Sequence, residues 1–192
     1  MAKKHPVWFP GAIYYIRWHG SGDENIFFTD KDYLSFLSTL ENVRYQYPFY
    51  LHSYCLTSNC IQLLLETTHV HIKDILSSLH FDYTSYFTSN YFSFKKLVQS
   101  RCRLIDSADI FLQASKFIHL TPYRTKIVTT TKDYRWSSYI SFISRPPNDY
   151  VVTSRIHTFF PEPKMKHYLL FVEAEKIEAN INLGSAQKEV IK

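Results

Sequence analysis

The stretch SNCIQLLLE (58–66) sets Cys60 and Gln62 two residues apart in what reads as a short β-strand, so their side chains leave the same face. Two histidines at that spacing could hold a divalent ion that polarises a phosphate ester as a Lewis acid. A thiol and an amide are a poor substitute. Glutamine is a weak neutral ligand for Mg²⁺ or Mn²⁺, and a thiolate suits softer metals. Cys60 could join His52 or His119 around zinc, but a buried structural cysteine is the better reading. A literal His-x-His does occur, at His69 and His71. It opens a predicted helix, where residues two apart sit about 200° around the axis and cannot converge on one ion, so a solvated helix start is expected there. Neither a metal nor a cofactor is expected. Further along, Phe117 and Thr121 are one helical turn apart on one predicted face. A phenyl ring offers no oxygen nucleophile.

Other residues have the chemistry to hold a nucleic acid. FDYTSYFTSNYFSFKK (81–96) interleaves aromatic rings with a basic end and runs into QSRCRL. Rings stack on unpaired bases while Lys and Arg hold phosphates, which grips single strands without strict sequence readout. The candidates are Tyr86 and Tyr91 for stacking and Lys95, Lys96, Arg101, Arg103, Arg124, Lys126 and Arg135 for phosphate. Against this stand ordinary ring packing, which also applies to Tyr83 and Tyr123, and a solvated basic surface.

The whole chain supports an anionic partner without naming one. Its 192 residues carry a formal charge of +5 and a pI near 9.0, which favours nucleic acid. Fifteen Tyr, fifteen Phe and three Trp accompany only four Gly, so wide ring surfaces are expected, either in a core or under bases. The cysteines Cys55, Cys60 and Cys102 form no CxxC pair and are odd in number, which argues against a disulfide framework or a zinc ribbon. The opening MAKKHPVWFPGAIYYI holds no continuous apolar run, and no later segment approaches the length of a membrane span. A cytoplasmic protein without a membrane partner is expected.

The elements that must position these residues follow from periodicity. AIYYIRW (12–18) alternates as a strand; 30–45 is helical, capped by Asp30 or Thr29 and stopped by Pro48. FYLHSYCLT (49–57) and CIQLLLE (60–66), joined by SN, form a hairpin signal. A helix over 70–87, a strand over 96–106 bearing Arg101 and Arg103 on one face, and a helix from Ser107 to about 120 complete the series, with Pro122 marking its end or a kink. The order β-α-β-β-α-β-α predicts an α+β, ferredoxin-like split βαβ fold, an antiparallel sheet covered by helices on one face. The double proline of RPPNDY (145–150) marks a linker. Residues 1–145 are therefore expected to form the main domain and 146–192 a small helical C-terminal extension, which adds a binding surface or mediates homodimer contacts.

Four stretches in order carry a resemblance: FPGAIYYIRWHGSGDENIFF (9–28), YCLTSNCIQLLLET (54–67), FIHLTPYRTKIV (117–128) and DYRWSSYISFI (133–143). They are similar to the REP-associated branch of the single-tyrosine HUH transposases, small bacterial enzymes that cut and rejoin single-stranded DNA next to hairpins. The family patterns are a strand after Pro-Gly, Tyr-Cys-Leu-Met-x-Asn-His-Val-His-Leu-Leu-Leu-Glu, Tyr-Ile-His-Leu-Asn-Pro-Val-Arg and Asp-Tyr-x-Trp-Ser-Ser-Tyr. The resemblance implies a ferredoxin-like fold. It also implies a metal on two strand histidines and a helix asparagine, and a tyrosine that attacks the phosphorus. Here the histidine positions are Cys60 and Gln62, the asparagine position is Thr121, and the tyrosine position is Phe117. Arg124 matches an arginine of the pattern, and Trp136 is expected to pack against the sheet while the serines beside it cap a turn.

The expectation is a domesticated, catalytically inactive relative that binds hairpin or single-stranded DNA or RNA and acts as a regulator. Two rivals stay open. An active strand transferase with a relocated site predicts metal-dependent nicking, and a protein–protein module predicts no salt-dependent affinity for oligonucleotides.

Overall fold

The computed structural model describes residues 7–91, 97–145 and 148–174, with side chains of 97–100 left aside. The elements are β1 (Ile13–Gly20), α1 (Asp30–Gln46), β2 (Phe49–Thr57), β3 (Cys60–Thr67), α2 (Ile72–Asn90), β4 (Leu97–Ile105), α3 (Ala108–Arg124), and short helices α4 (Ile140–Ile143) and α5 (Ser154–His157). A further helical stretch covers residues 164–174. The four strands form one sheet in the order β2-β3-β1-β4. All its pairings are antiparallel, as the ferredoxin-like split βαβ arrangement requires.

Helices cover both sides of this sheet rather than one. Strand side chains alternate, and β1 pairs with β3 without a register break. Tyr15 and Trp18 therefore point to opposite faces. Trp18 meets His80 of α2 edge-on at 6.0 Å, whereas Tyr15 meets Phe117 of α3 at 6.1 Å. The α1–α2 layer and α3 thus enclose the sheet between them. The order of helices and strands alone does not reveal this.

Most of the aromatic excess is spent on the core. Phe27, Tyr33 and Trp136 stack successively at 4.4 Å, with Arg135 lying 4.3 Å over the outer face of Trp136. Trp136 thus packs on α1, while its backbone carbonyl and Ser138 N–H continue the β2 edge through Leu56 and Tyr54. Asp32 is buried at the start of α1. Its carboxylate accepts from the backbone N–H groups of Phe28 and Thr29 at 2.7 and 2.8 Å. Burial opposes ionisation, but these bonds and those from Tyr91 and Tyr86 hold its pKa below the usual value. His71 caps α2, accepting from Lys73 N–H at 3.0 Å, so the His69-x-His71 pair is a helix start as expected.

The helix α3 begins where expected, with Ser107 Oγ accepting from Ile110 N–H at 3.3 Å. It does not stop at Pro122 but runs on to Arg124. Pro122 forfeits its own N–H, yet its carbonyl accepts from Ile127 at 2.9 Å, which closes the final turn. Residues 148–174 pack into the same core through Val151, Ile156, Tyr168 and Val172. Among the described residues no helix is long and apolar enough to cross a membrane.

Candidate functional site

On one side of α3, Ile110, Gln113, Ala114, Phe117 and Arg124 recur at helical spacing (i, i+3, i+4, i+7, i+14) and line a cavity of about 390 Å³. The opposite wall is the sheet face carrying Tyr15, Arg101, Arg103 and Ile105. Register explains the grouping. Tyr15 lies opposite Arg103 and Arg17 opposite Arg101, so β1 and β4 present them on one face. Three arginines and no carboxylate line this cavity among the described residues.

Phe117 is 44% exposed although it sits in the cavity wall. The Arg124 guanidinium lies 4.9 Å over its face, and the Tyr15 ring meets it edge-on. Such a guanidinium–ring pair offers a flat, cationic platform. Tyr15 is buried, and burial followed by the field of Cys60 pushes its phenol up to about 12. At neutral pH it is a neutral hydroxyl, not a phenolate.

The expected pairing of β3 with α3 is present. Thr121 Oγ1 donates to Gln62 Oε1 at 3.2 Å and is also within reach of the Phe117 carbonyl at 3.0 Å. Both side chains are buried. Cys60 Sγ accepts from Arg17 Nε at 3.4 Å. Burial pushes the Cys60 thiol up despite the opposing hydrogen bonds from Arg17 and Gln62, so it is a neutral thiol.

A divalent metal does not fit this donor set. It offers one protonated thiol and one amide oxygen already engaged by Thr121, beside a guanidinium that would repel the ion. The histidines considered as partners of Cys60 are committed elsewhere. His52 Nε2 bonds Glu66 Oε2 at 2.7 Å, and Arg155 pairs with the other carboxylate oxygen. His119 Nδ1 bonds the Tyr168 hydroxyl at 2.7 Å and its Nε2 bonds Ser138 Oγ at 2.8 Å. Among the described residues no group of three or more His, Cys, Asp or Glu could hold a metal ion.

The remaining candidates are dispersed. Tyr86 and Tyr91 belong to the α1–α2 layer, where both hydroxyls donate to Asp32 at 2.7–2.8 Å. The rings that reach the cavity are Tyr15 and Phe117 instead. Arg135 bonds Asp30 at 2.8 Å and covers Trp136, away from the cavity lining. Lys126 is exposed just past α3 in a left-handed conformation, with φ of 58°. Lys95 and Lys96 lie outside the described residues.

Two residues escaped the sequence reading, Tyr15 and Arg17. The alternation of IYYIRW puts both on one strand face, and an arginine inside an apolar strand was the available signal. The inner side of α3 was equally hidden. There Ser115 and His119 are buried and meet Tyr168, whose hydroxyl bonds Ser115 Oγ at 2.7 Å. Burial alone drives the His119 pKa down to about 3, so this imidazole is a neutral structural group.

No protein-family model matches the chain, and no curated protein matches it in sequence. Solved structures do match in shape. A putative transposase from Deinococcus radiodurans R1 aligns at a TM-score of 0.42 and 14% identity, over 66% of this chain and 92% of its own. A REP-associated tyrosine transposase bound to a REP hairpin aligns at a TM-score of 0.64 and 11% identity, covering 79% of this chain and 91% of that one. With the β2-β3-β1-β4 sheet, this second likeness establishes that the chain has the fold of a REP-associated tyrosine transposase.

Proposed function

We propose that this chain is a catalytically inactive, domesticated relative of those transposases that binds hairpin or single-stranded nucleic acid and acts as a regulator. The observation that carries the proposal is the cavity between α3 and the β1–β4 face. It combines three arginines with an exposed ring under a guanidinium, which matches the chemistry of an unpaired base next to its phosphates. The structurally similar transposase bound to a REP hairpin supports the same class of ligand.

Inactivity rests on chemistry. A phosphoryl transfer needs a nucleophile and a means of neutralising charge on the phosphorane oxygens. Phe117 supplies no oxygen. Tyr15, the tyrosine in the cavity wall, holds its proton up to about pH 12. Cys60 and Gln62 make a poor metal site.

The test pairs two assays on the purified protein with fluorescent hairpin DNA, hairpin RNA and duplex DNA. Anisotropy across a salt series should show salt-sensitive binding that prefers hairpin or single-stranded ligands over duplex. A denaturing gel after incubation with Mn²⁺ should show neither nicked strand nor protein–DNA adduct. An adduct would establish the relocated-site enzyme; no binding to any ligand would point to a protein partner.

A further inference from the structure

The face of β1 that carries Tyr15 and Arg17 brings two like charges into register. Arg17 stands directly opposite Arg101 in the β1–β4 ladder and opposite Gln62 in the β1–β3 ladder. Like charges directly across an antiparallel pair repel. Both arginines are exposed, and Arg103 sits at the neighbouring pair position on the same face. Asp23, in the turn after β1, also acts on Arg17, but its side chain is 80% exposed and therefore well screened. Two guanidiniums held in register are placed to share one bridging anion.

Arg17 is also held in place, because its Nε donates to Cys60 Sγ. The thiol is 6% exposed and protonated, so it acts as a fixed acceptor and not as a competing anion. Gln62 is fixed in turn by Thr121. The strand position next to Arg17 on the same face is Tyr15, which lines the arginine-walled cavity. A bound strand that enters the cavity would thus pass Arg17.

We propose that Arg17, anchored by Cys60 and paired in register with Arg101, binds a backbone phosphodiester of the nucleic-acid strand directly, taking with a fixed guanidinium the charge-neutralising place that a divalent ion cannot occupy in this donor set. A guanidinium is suited to this, because its planar fork gives two parallel charge-assisted hydrogen bonds to phosphate oxygens. Phosphate binding here is therefore independent of metal. The proposal rests on the nucleic-acid reading of the cavity and adds to it a residue and a mode.

The test measures anisotropy of a fluorescent single-stranded DNA oligonucleotide across a salt series, with EDTA or with Mn²⁺, for the wild-type chain, Arg17→Gln and Arg17→Lys. The expected wild-type affinity is the same in EDTA and Mn²⁺. Arg17→Gln should weaken binding about tenfold and lower the salt slope by about 0.7, the share of one single-strand phosphate contact. Arg17→Lys should keep the slope while losing part of the affinity, which a merely structural role would not produce. Thermal melts of both variants should fall no lower than the wild type, since Arg17 is exposed and Arg17→Gln removes a like charge opposite Arg101. Wild-type binding with an unchanged slope in Arg17→Gln overturns the role of Arg17 and leaves the nucleic-acid reading standing. Wild-type binding that requires Mn²⁺ overturns the metal-free mode. Absence of wild-type binding overturns both.

Discussion

The two sides of α3 differ in what they touch. The inner side, with Ser115, Ile118 and His119, is wholly buried, and each of its polar side-chain groups meets the hydroxyl of Tyr168 or Ser138. The outer side, with Phe117 and Arg124, leaves an aromatic ring half open under a guanidinium, facing arginines across a cavity. The first arrangement is what stability selects: satisfied polar groups and no net charge. The second is poor for stability and good for an anionic ligand. One helix therefore ties the fold together with one face and presents a ligand surface with the other, so substitutions a residue or two apart should separate stability from binding.

The largest expected effect breaks the inner side. His119→Ala removes one hydrogen-bond partner from each of the buried Tyr168 and Ser138 hydroxyls, which keep Ser115 and Tyr54, and leaves a cavity in place of the ring; it should cost about 2–4 kcal/mol in urea unfolding. Oligonucleotide affinity of the folded protein should stay within about twofold. If His119→Ala abolished binding at conditions where it remains folded, the division between the two sides would be wrong.

Acid should find the same side. The His119 pKa falls from 6.5 to about 3 on folding, so between those values the unfolded chain binds a proton that the folded chain does not. The stability linked to neutral His119 is fully present above about pH 6.5. It is lost at about 1.4 kcal/mol per pH unit as pH falls towards about 3. Glu66 and Asp32 add in the same direction at lower pH. Burial disfavours their charge, but the bonds from His52 and Arg155 to Glu66, and from the tyrosines and backbone to Asp32, lower both pKa values on folding. Urea unfolding of wild type and His119→Asn at a series of pH values checks this, and the variant should lose most of the slope between about pH 4 and 6.

The outer side should respond in the opposite sense. Phe117→Ala removes the stacking platform and should weaken single-strand binding by about 1–3 kcal/mol, with a much smaller change in melting because the ring is 44% exposed. The smallest effect belongs to a cation away from the cavity. Arg135→Gln breaks an exposed pair with Asp30 and a contact with Trp136, so it should move stability by about 0.5 kcal/mol and leave affinity unchanged within error. A large loss of affinity in Arg135→Gln would extend the ligand surface around to α1.

What was legible in the sequence had a short range. The strand alternation of IYYIRW, the Ser-Asn hairpin and the Ser107 cap each depend on neighbours within a few residues, and each element lies where local chemistry puts it. The convergence of Gln62 with Thr121 was legible only through the motif resemblance, because 59 residues separate them. The His119–Tyr168 contact spans 49 residues with no motif to announce it, and a tyrosine hydroxyl that ends up buried looks like any other in sequence. Tyr86 and Tyr91 show the converse. Rings beside basic residues read as stacking surfaces, but a buried Asp32 needed donors and took their hydroxyls. Pro122 misled because it forfeits only its own N–H: the carbonyls of Thr121 and Pro122 still accept from Thr125 and Ile127, which carries the last turn past it.

The most direct measurement compares the wild-type chain with an Arg101→Gln, Arg103→Gln, Arg124→Gln triple variant by anisotropy on single-stranded, hairpin and duplex oligonucleotides across a salt series. Tight, salt-sensitive binding by the wild type, lost at least tenfold in a variant that melts at the same temperature, is the expected result. Equal affinity and equal salt slope in the two proteins would contradict it, and the cavity on the outer side of α3 would not be a nucleic-acid site.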